Sequence, residues 1–188
     1  KIWTDIVRNE FDIDYVQFVS DMIEPSLPNN IINEEIRKVN FYTKKYNIKI
    51  KDTITLPRYN YMGHHNPKIS KYWKEWLKRF IDISSKLGAD GVGSLLGIYN
   101  FYDLKNNLIK TRKKIIDGWV DLSKHAKQRG IKYLIWEPMS VKREMGDTIL
   151  STQKIHRELN YRSAIPILLN LDVDHGNIAS KNKDDYNP

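Results

Sequence analysis

The run Ile165-Pro-Ile-Leu-Leu-Asn-Leu-Asp172-Val-Asp174-His175-Gly176-Asn177 decides how this chain folds. It is an apolar segment that stops abruptly in two carboxylates, an imidazole and a glycine. A second run, Ile131-Lys-Tyr-Leu-Ile-Trp-Glu137-Pro138, ends the same way, with a carboxylate in last place and a proline that cannot continue a central strand. In parallel α/β folds ligands bind at the carboxyl ends of the strands. Glu137 and Asp172, each ending a strand-like segment, are therefore candidates for one shared site.

Working outward, the chain alternates. Ile2, Trp3, Ile6, Val7 and Phe11 have helical spacing, and Tyr15 to Ser20 reads as a strand ending at Asp21. Ile32, Ile36, Val39, Thr43 and Tyr46 mark a second helix that Asn47 can stop, and the β-branched stretch Ile48 to Leu56 predicts a strand closed by Pro57. The clearest helix carries Trp73, Trp76, Leu77, Phe80, Ser84 and Leu87 on one stripe, with Gly88 as its stop. That stripe reads as core packing rather than a stacking platform. Ala89 to Ile98 predicts a strand whose glycines form no dinucleotide fingerprint. A long helix turns Ile115, Ile116, Trp119, Leu122 and Ala126 inward and stops at Gly130; another runs from Asp147, its N-cap, to Leu159. The tail from Ser180 is polar and reads as irregular.

Strands beginning near residues 14, 48, 89, 131 and 165, with helices between them, predict a parallel sheet covered on both faces. A period of roughly 38 residues taken eight times gives about 300, within the range of a (β/α)8 TIM barrel. Five units behind a leading helix then correspond to strands two to six, so that residues 1–188 form one partial barrel domain with open sheet edges. A five-stranded doubly wound sheet is the alternative.

With 188 residues, 40% of them hydrophobic, the chain can bury a sizeable core. It lacks cysteine, so disulfides and thiolate metal sites are excluded and any metal must be held by oxygen and imidazole nitrogen. No stretch has the apolar length to span a bilayer. The first residue is not methionine, which suggests a fragment or a processed start; a cytoplasmic protein is the default expectation. The net charge of +8 could serve an anionic partner, yet lysine is spread along every helix. The densest cluster, Lys110-Thr-Arg112-Lys113-Lys114, has no interleaved aromatics and argues against a dedicated nucleic-acid surface.

Tyr72-Trp73-Lys-Glu-Trp76 through Phe80-Ile-Asp-Ile, Gly97-Ile98, Trp136-Glu137-Pro138-Met139-Ser140 and Leu171-Asp172-Val-Asp174-His175-Gly176 together resemble the xylose isomerase-like TIM barrels. Within them the chain is similar to the sugar-phosphate isomerases and epimerases that act on tetrulose phosphates. That resemblance implies a divalent cation, Mn²⁺, Mg²⁺ or Co²⁺ with Zn²⁺ also possible, held by a Glu, an Asp, a His and a second Glu from successive strand ends. By motif position Glu137 matches the first Glu, which is also one of two acid/base carboxylates. Asp172 matches the Asp ligand, and His175 the histidine that contacts substrate. The remaining His and Glu are expected from later strands, so these residues carry half a site and no turnover is expected from them alone.

Epimerising a carbon beside a carbonyl needs Lewis-acid stabilisation of an enediolate and carboxylates on opposite faces. A carboxylate after Tyr-Leu-Ile-Trp is costly to bury unless it is used, which favours a functional Glu137. His175 shares the face of Asp172 only if the strand ends or bends at Asp174, which Gly176 permits. Arg143, in the loop after Glu137, is a candidate for a substrate phosphate, because its guanidinium fork matches phosphate oxygens. His64 and His65 follow the third strand of the barrel on the same face and could gate or bind substrate; Asp21 could orient a neighbour. Leu95 stands where the tetrulose-phosphate group is expected to carry a histidine, so the exact substrate stays open. A small-molecule sugar phosphate is the expected partner, and a homo-oligomer is compatible. A phosphodiester-cleaving endonuclease of the same superfamily, or an inactive truncated barrel, are the alternatives.

Overall fold

Alternating helices and strands build a five-stranded parallel sheet in the computed structural model, which describes residues 2–55, 57 and 59–172. Helix α1 (Trp3–Asn9) leads into β1 (Tyr15–Val19) and a short 3-10 turn (Ser20–Met22). Then follow α2 (Asn29–Lys45), β2 (Lys49–Ile54), α3 (Pro67–Lys86), β3 (Gly91–Leu95), α4 (Phe101–Asn106), α5 (Leu108–Gln128), β4 (Tyr133–Glu137), α6 (Ile149–Arg162) and β5 (Ile167–Leu169). No described helix is long and apolar enough to cross a membrane.

The strands lie in the order β1-β2-β3-β4-β5, each parallel to the next. Right-handed crossovers that always step the same way put the helices between the strands on one face of the sheet, not on both as the alternation alone predicts. A doubly wound sheet needs a reversal of strand order to cover both faces, so the regular order excludes it. The sheet is five consecutive strands of a TIM barrel, with β1 and β5 as its edges among the described residues.

Alternation along the strands separates two environments. Phe18, Val92, Leu134, Trp136 and Ile167 turn outward and pack under the helices. The stripe on α3 supplies Trp76, Leu77, Phe80 and Ile81 to that layer, and α5 supplies Ile115, Ile116, Trp119 and Leu122. Helix α3 starts where Asn66 Oδ1 accepts from Lys68 N at 2.9 Å and Pro67 takes the first turn, and it is stopped by Gly88 at φ +77°. The opposite parity faces the barrel interior: Gln17, Asp52, Gly91 and Tyr133 low down, then Ile54, Gly93 and Ile135, then Leu95 and Glu137 at the carboxyl end.

Gly91 is required by this inner packing. A Cβ built there would lie 2.0 Å from the Tyr133 ring. Gly91→Ala is expected to cost about 2 kcal/mol in urea unfolding, because the half-buried Tyr133 ring must leave its place; an unchanged midpoint would show that Tyr133 moves freely. At the amino-terminal rim Asp90 is bridged by Lys132 and Lys51, each at 2.7 Å, and their hydrogen bonds hold its carboxyl below the ordinary range. A depressed carboxyl contributes stability above its unfolded pKa and loses it as pH falls through the folded value. Asp90→Asn is thus expected to cost no more than about 1 kcal/mol at pH 7, since both lysines are exposed, and less at about pH 3. Urea unfolding at both pH values and in high salt measures this.

The structure departs from the sequence expectations in four further places. Thr148, not Asp147, caps α6: its Oγ1 accepts from Ser151 N at 3.2 Å, and the helix continues to Arg162. The glycine-rich strand is shorter than Ala89 to Ile98, because Gly97 at φ +149° leaves the extended conformation. The last strand ends at Leu169, three residues before Asp172. Helix α4 was not expected, since its exposed Phe101 and Tyr102 follow no helical stripe.

Candidate active site

β4 places Glu137 at its carboxyl end on the inner face, because Trp136 before it is fully buried under the helices and alternation turns its neighbour inward. Glu137 is half-buried, and Asn170 Nδ2 donates to its Oε2 at 3.2 Å. Asn170 itself is fixed by its backbone N–H, which donates to Trp136 O at 3.0 Å. The residue after β5 thus presents an amide to the carboxylate that ends β4. Asp172 is half-buried two residues further on. Leu95, paired in register with Glu137, is a buried apolar neighbour on the other side.

The loop after β4 turns back across the segment after β3. Ile98 and Glu144 form an antiparallel bridge, and Tyr99 N donates to Arg143 O at 2.7 Å. Arg143 is half-buried. Its Nε donates to Tyr99 O at 3.0 Å and its guanidinium stacks 4.3 Å from the Phe101 ring centroid. Both contacts use one edge and one face of the group, so its terminal amines stay available to an anion.

His64 and His65 lie in the loop after β2 at the same end of the sheet. Their rings stack at 4.3 Å, and His65 Nδ1 lies 3.1 Å from Asp103 of α4. Burial pushes the Asp103 carboxyl up, but hydrogen bonds from the His65 ring and backbone and from Asn107 outweigh it and hold the group below the ordinary range. Burial, with the neighbouring His65, pushes the His64 imidazole down. Asp21 is exposed in the turn after β1, where Ser20 Oγ donates to it at 3.4 Å. His125 is structural, 2.8 Å from Asp82, which Arg129 also pairs at 2.7 Å. His175, with Asp174 and Gly176 of the expected bend and the tail from Ser180, lies outside the described residues.

Sequence reasoning missed Asn170 and Asp103. Asn170 carries no local signal, because β5 ends at Leu169 and its amide meets Glu137 across 33 residues of sequence. Asp103 is signalled by Asn100-Phe-Tyr-Asp103, a cap spacing: Asn100 Oδ1 accepts from Asp103 N at 2.7 Å. Its pairing with His65 joins residues 38 apart in the chain and has no local signal. The basic cluster on α5 is engaged locally, with Lys113 on Asp117 at 2.6 Å and Arg112 on Glu158 at 3.4 Å.

No protein-family model matches the chain. Among curated proteins it is 31% identical over 192 residues to the D-erythrulose 1-phosphate 3-epimerase of Brucella abortus (strain 2308), covering 98% of this chain and 61% of that protein. Among solved structures, a Rhodospirillum rubrum ATCC 11170 protein described as a candidate xylose isomerase superposes with a TM-score of 0.82 at 24% identity, over 92% of this chain and 60% of that one. An L-ribulose 3-epimerase superposes with a TM-score of 0.69 at 16% identity, over 93% and 55%. The chain therefore spans about three fifths of the length of these relatives. By fold it is a segment of a TIM barrel like those of these two structures, and in sequence it is similar to an erythrulose-phosphate epimerase.

Proposed function

We propose that this chain is the part of a metal-dependent ketose-phosphate epimerase that carries the first of its two acid/base carboxylates. The observation that bears most weight is Glu137, held on the inner face at the mouth of β4 by the Asn170 amide. Similarity to an epimerase acting on D-erythrulose 1-phosphate supports a tetrulose phosphate as substrate.

Glu137 at the end of β4 and Asp172 three residues past β5, in a chain without cysteine, offer oxygen donors of the kind that Mn²⁺, Mg²⁺ or Co²⁺ prefers. Glu137 and Asp172 would hold the ion, which when bound supplies Lewis-acid stabilisation of charge developing on the carbonyl oxygen. Glu137 removes or returns the proton on the carbon beside that carbonyl, on the face of the substrate turned toward β4. Asn170 fixes the carboxylate through Oε2. One carboxylate reaches one face only, so the partner base belongs to strands beyond these five, as do a further His and Glu. His175 would contact a substrate hydroxyl. Arg143, preset by Tyr99 and Phe101, receives the phosphate. In this reading residues 1–188 form a single partial barrel domain in a cytoplasmic protein, and alone they bind substrate without turning it over.

The test is deuterium wash-in. The natural full-length protein is incubated in D₂O with D-erythrulose 1-phosphate and Mn²⁺, Mg²⁺ or Co²⁺, and exchange at the carbon beside the carbonyl is followed by proton NMR. Exchange with phosphorylated but not with free erythrulose is expected. No exchange with any of the three ions would refute the epimerase reading.

A further inference from the structure

A second cluster of ligating side chains stands apart from Glu137 and Asp172. Asp103 has a side chain only 1% exposed, against 45% for His65. His65 Nδ1 lies 3.1 Å from each Asp103 oxygen, and His65 N donates to Oδ2 at 3.1 Å. Asn100 Nδ2 and Asn107 Nδ2 donate to the same carboxylate at 2.7 and 3.1 Å. Among the described residues, His65 is the only ion-pair partner of Asp103. A buried carboxylate is paired with a positive charge or coordinates a cation. Here lysine and arginine are absent from the pair, and the counter-charge must come from a proton on His65 or from an ion.

His64 completes the set. Its ring stacks on His65, and one ligand atom from each of His64, His65 and Asp103 falls within 4.8 Å of the other two. His64 Nδ1 accepts from Asn66 N at 3.0 Å, so the neutral ring carries its proton on Nε2 and keeps a lone pair on Nδ1.

We propose that His64, His65 and Asp103 form a binding site for a divalent transition-metal cation of the Zn²⁺ or Co²⁺ class. Two imidazole nitrogens and a carboxylate suit these ions, whereas Mg²⁺ and Ca²⁺ favour all-oxygen sets. Both rings ligate through Nδ1. On His64 the ion replaces the Asn66 N–H; on His65 it takes the place of the proton facing Asp103, which passes to solvent where Nε2 already carries a proton and to Nε2 where it does not. The 3.1 Å separation of His65 Nδ1 and Asp103 is near the edge of a tetrahedron around an ion with ligands at about 2.0–2.1 Å. Asn100 and Asn107 already aim the carboxylate, the arrangement of supporting hydrogen bonds that metal ligands need. Water fills the open side left by the exposed half of His65.

The site joins two loops. His64 and His65 follow β2, and Asp103 belongs to the helix that follows β3, so a bound ion ties both segments together at the carboxyl end of the sheet. Lys114, whose Nζ donates to His64 O at 3.1 Å, opposes the ion electrostatically, and Lys114→Gln should tighten binding. This inference goes beyond the epimerase reading and does not rest on it.

Calorimetric titration of the protein with Zn²⁺, and visible spectroscopy with Co²⁺, test it. The expected result is one ion bound by the Glu137→Gln, Asp172→Asn double variant. That binding should fall at least tenfold in His65→Ala and about tenfold in Asn107→Ala, with circular dichroism unchanged. His64→Ala provides a second folded control, because Asp103 substitutions remove a buried hydrogen-bond acceptor. The proposal is overturned by no ion binding in the double variant, or by binding that His65→Ala and His64→Ala leave intact.

Discussion

Glu137→Gln is expected to lower the kcat of epimerisation in the full-length protein by about 10³-fold, the usual scale for losing one positioned acid/base group. Gln keeps the shape of the side chain and a carbonyl oxygen that can still accept from Asn170 Nδ2, now at 3.2 Å from the carboxylate. The substitution therefore removes the charge and the proton-accepting site while sparing the scaffold. The thermal midpoint should move by no more than about 2 °C, as for a substitution that opens no cavity and leaves no buried group unpaired. Steady-state kinetics with KM and kcat resolved would show the loss in kcat. A variant that still exchanges substrate deuterium at near wild-type rate would remove Glu137 from the chemistry.

Trp119→Ala is expected to cost about 4 kcal/mol, and with it about 12 °C of melting temperature for a domain of this size. Trp119 is 2% exposed and packs in the main core between the sheet and its helices. Its loss leaves a large void in a layer walled by Leu77, Ile81, Val92 and Leu122. The second cost is polar. Trp119 Nε1 donates to Leu96 O at 2.7 Å, and that carbonyl, just past the end of β3, would be left unpaired. Trp119→Phe fills most of the space without the donor and should cost about 2 kcal/mol, so the pair separates packing from hydrogen bonding. Urea unfolding of both variants measures the difference. If Trp119→Ala lost less than Trp119→Phe, the packing account would be wrong. Because Leu96 begins the segment that pairs with the Arg143 loop, the alanine variant should also weaken phosphate binding.

Much of the fold was legible because its signals are local. The stripe of Trp76, Leu77 and Phe80 repeats with the helical period, and Asn47 and Gly88, at φ +52° and +77°, stop helices where only residues tolerant of positive φ fit. Helix α4 was missed for the converse reason. It is set by the Asn100 cap and by the pairing of Asp103 with His65, while Phe101 and Tyr102 face solvent.

The site divides along the same line. Glu137 could be read from the chain, since a carboxylate directly after a strand's apolar run must sit at a strand end. Its partner Asn170 could not be assigned until the register of β4 against β5 set Trp136 beside Leu169. Arg143 was legible as a residue of the right loop. Its stacking on Phe101 came only with the antiparallel bridge between Ile98 and Glu144.

By itself, the sequence determined the alternation of helices and strands and the carboxylate at the end of β4. These follow from periods of 3.6 and 2.0 residues and from local stop signals. Tertiary structure decided the steady strand order that makes a barrel segment rather than a doubly wound sheet. It also decided the pairing of Asn170 with Glu137 and of Asp103 with His65. Such choices depend on contacts between residues tens of positions apart, whose energies arise only when the chain has closed on itself.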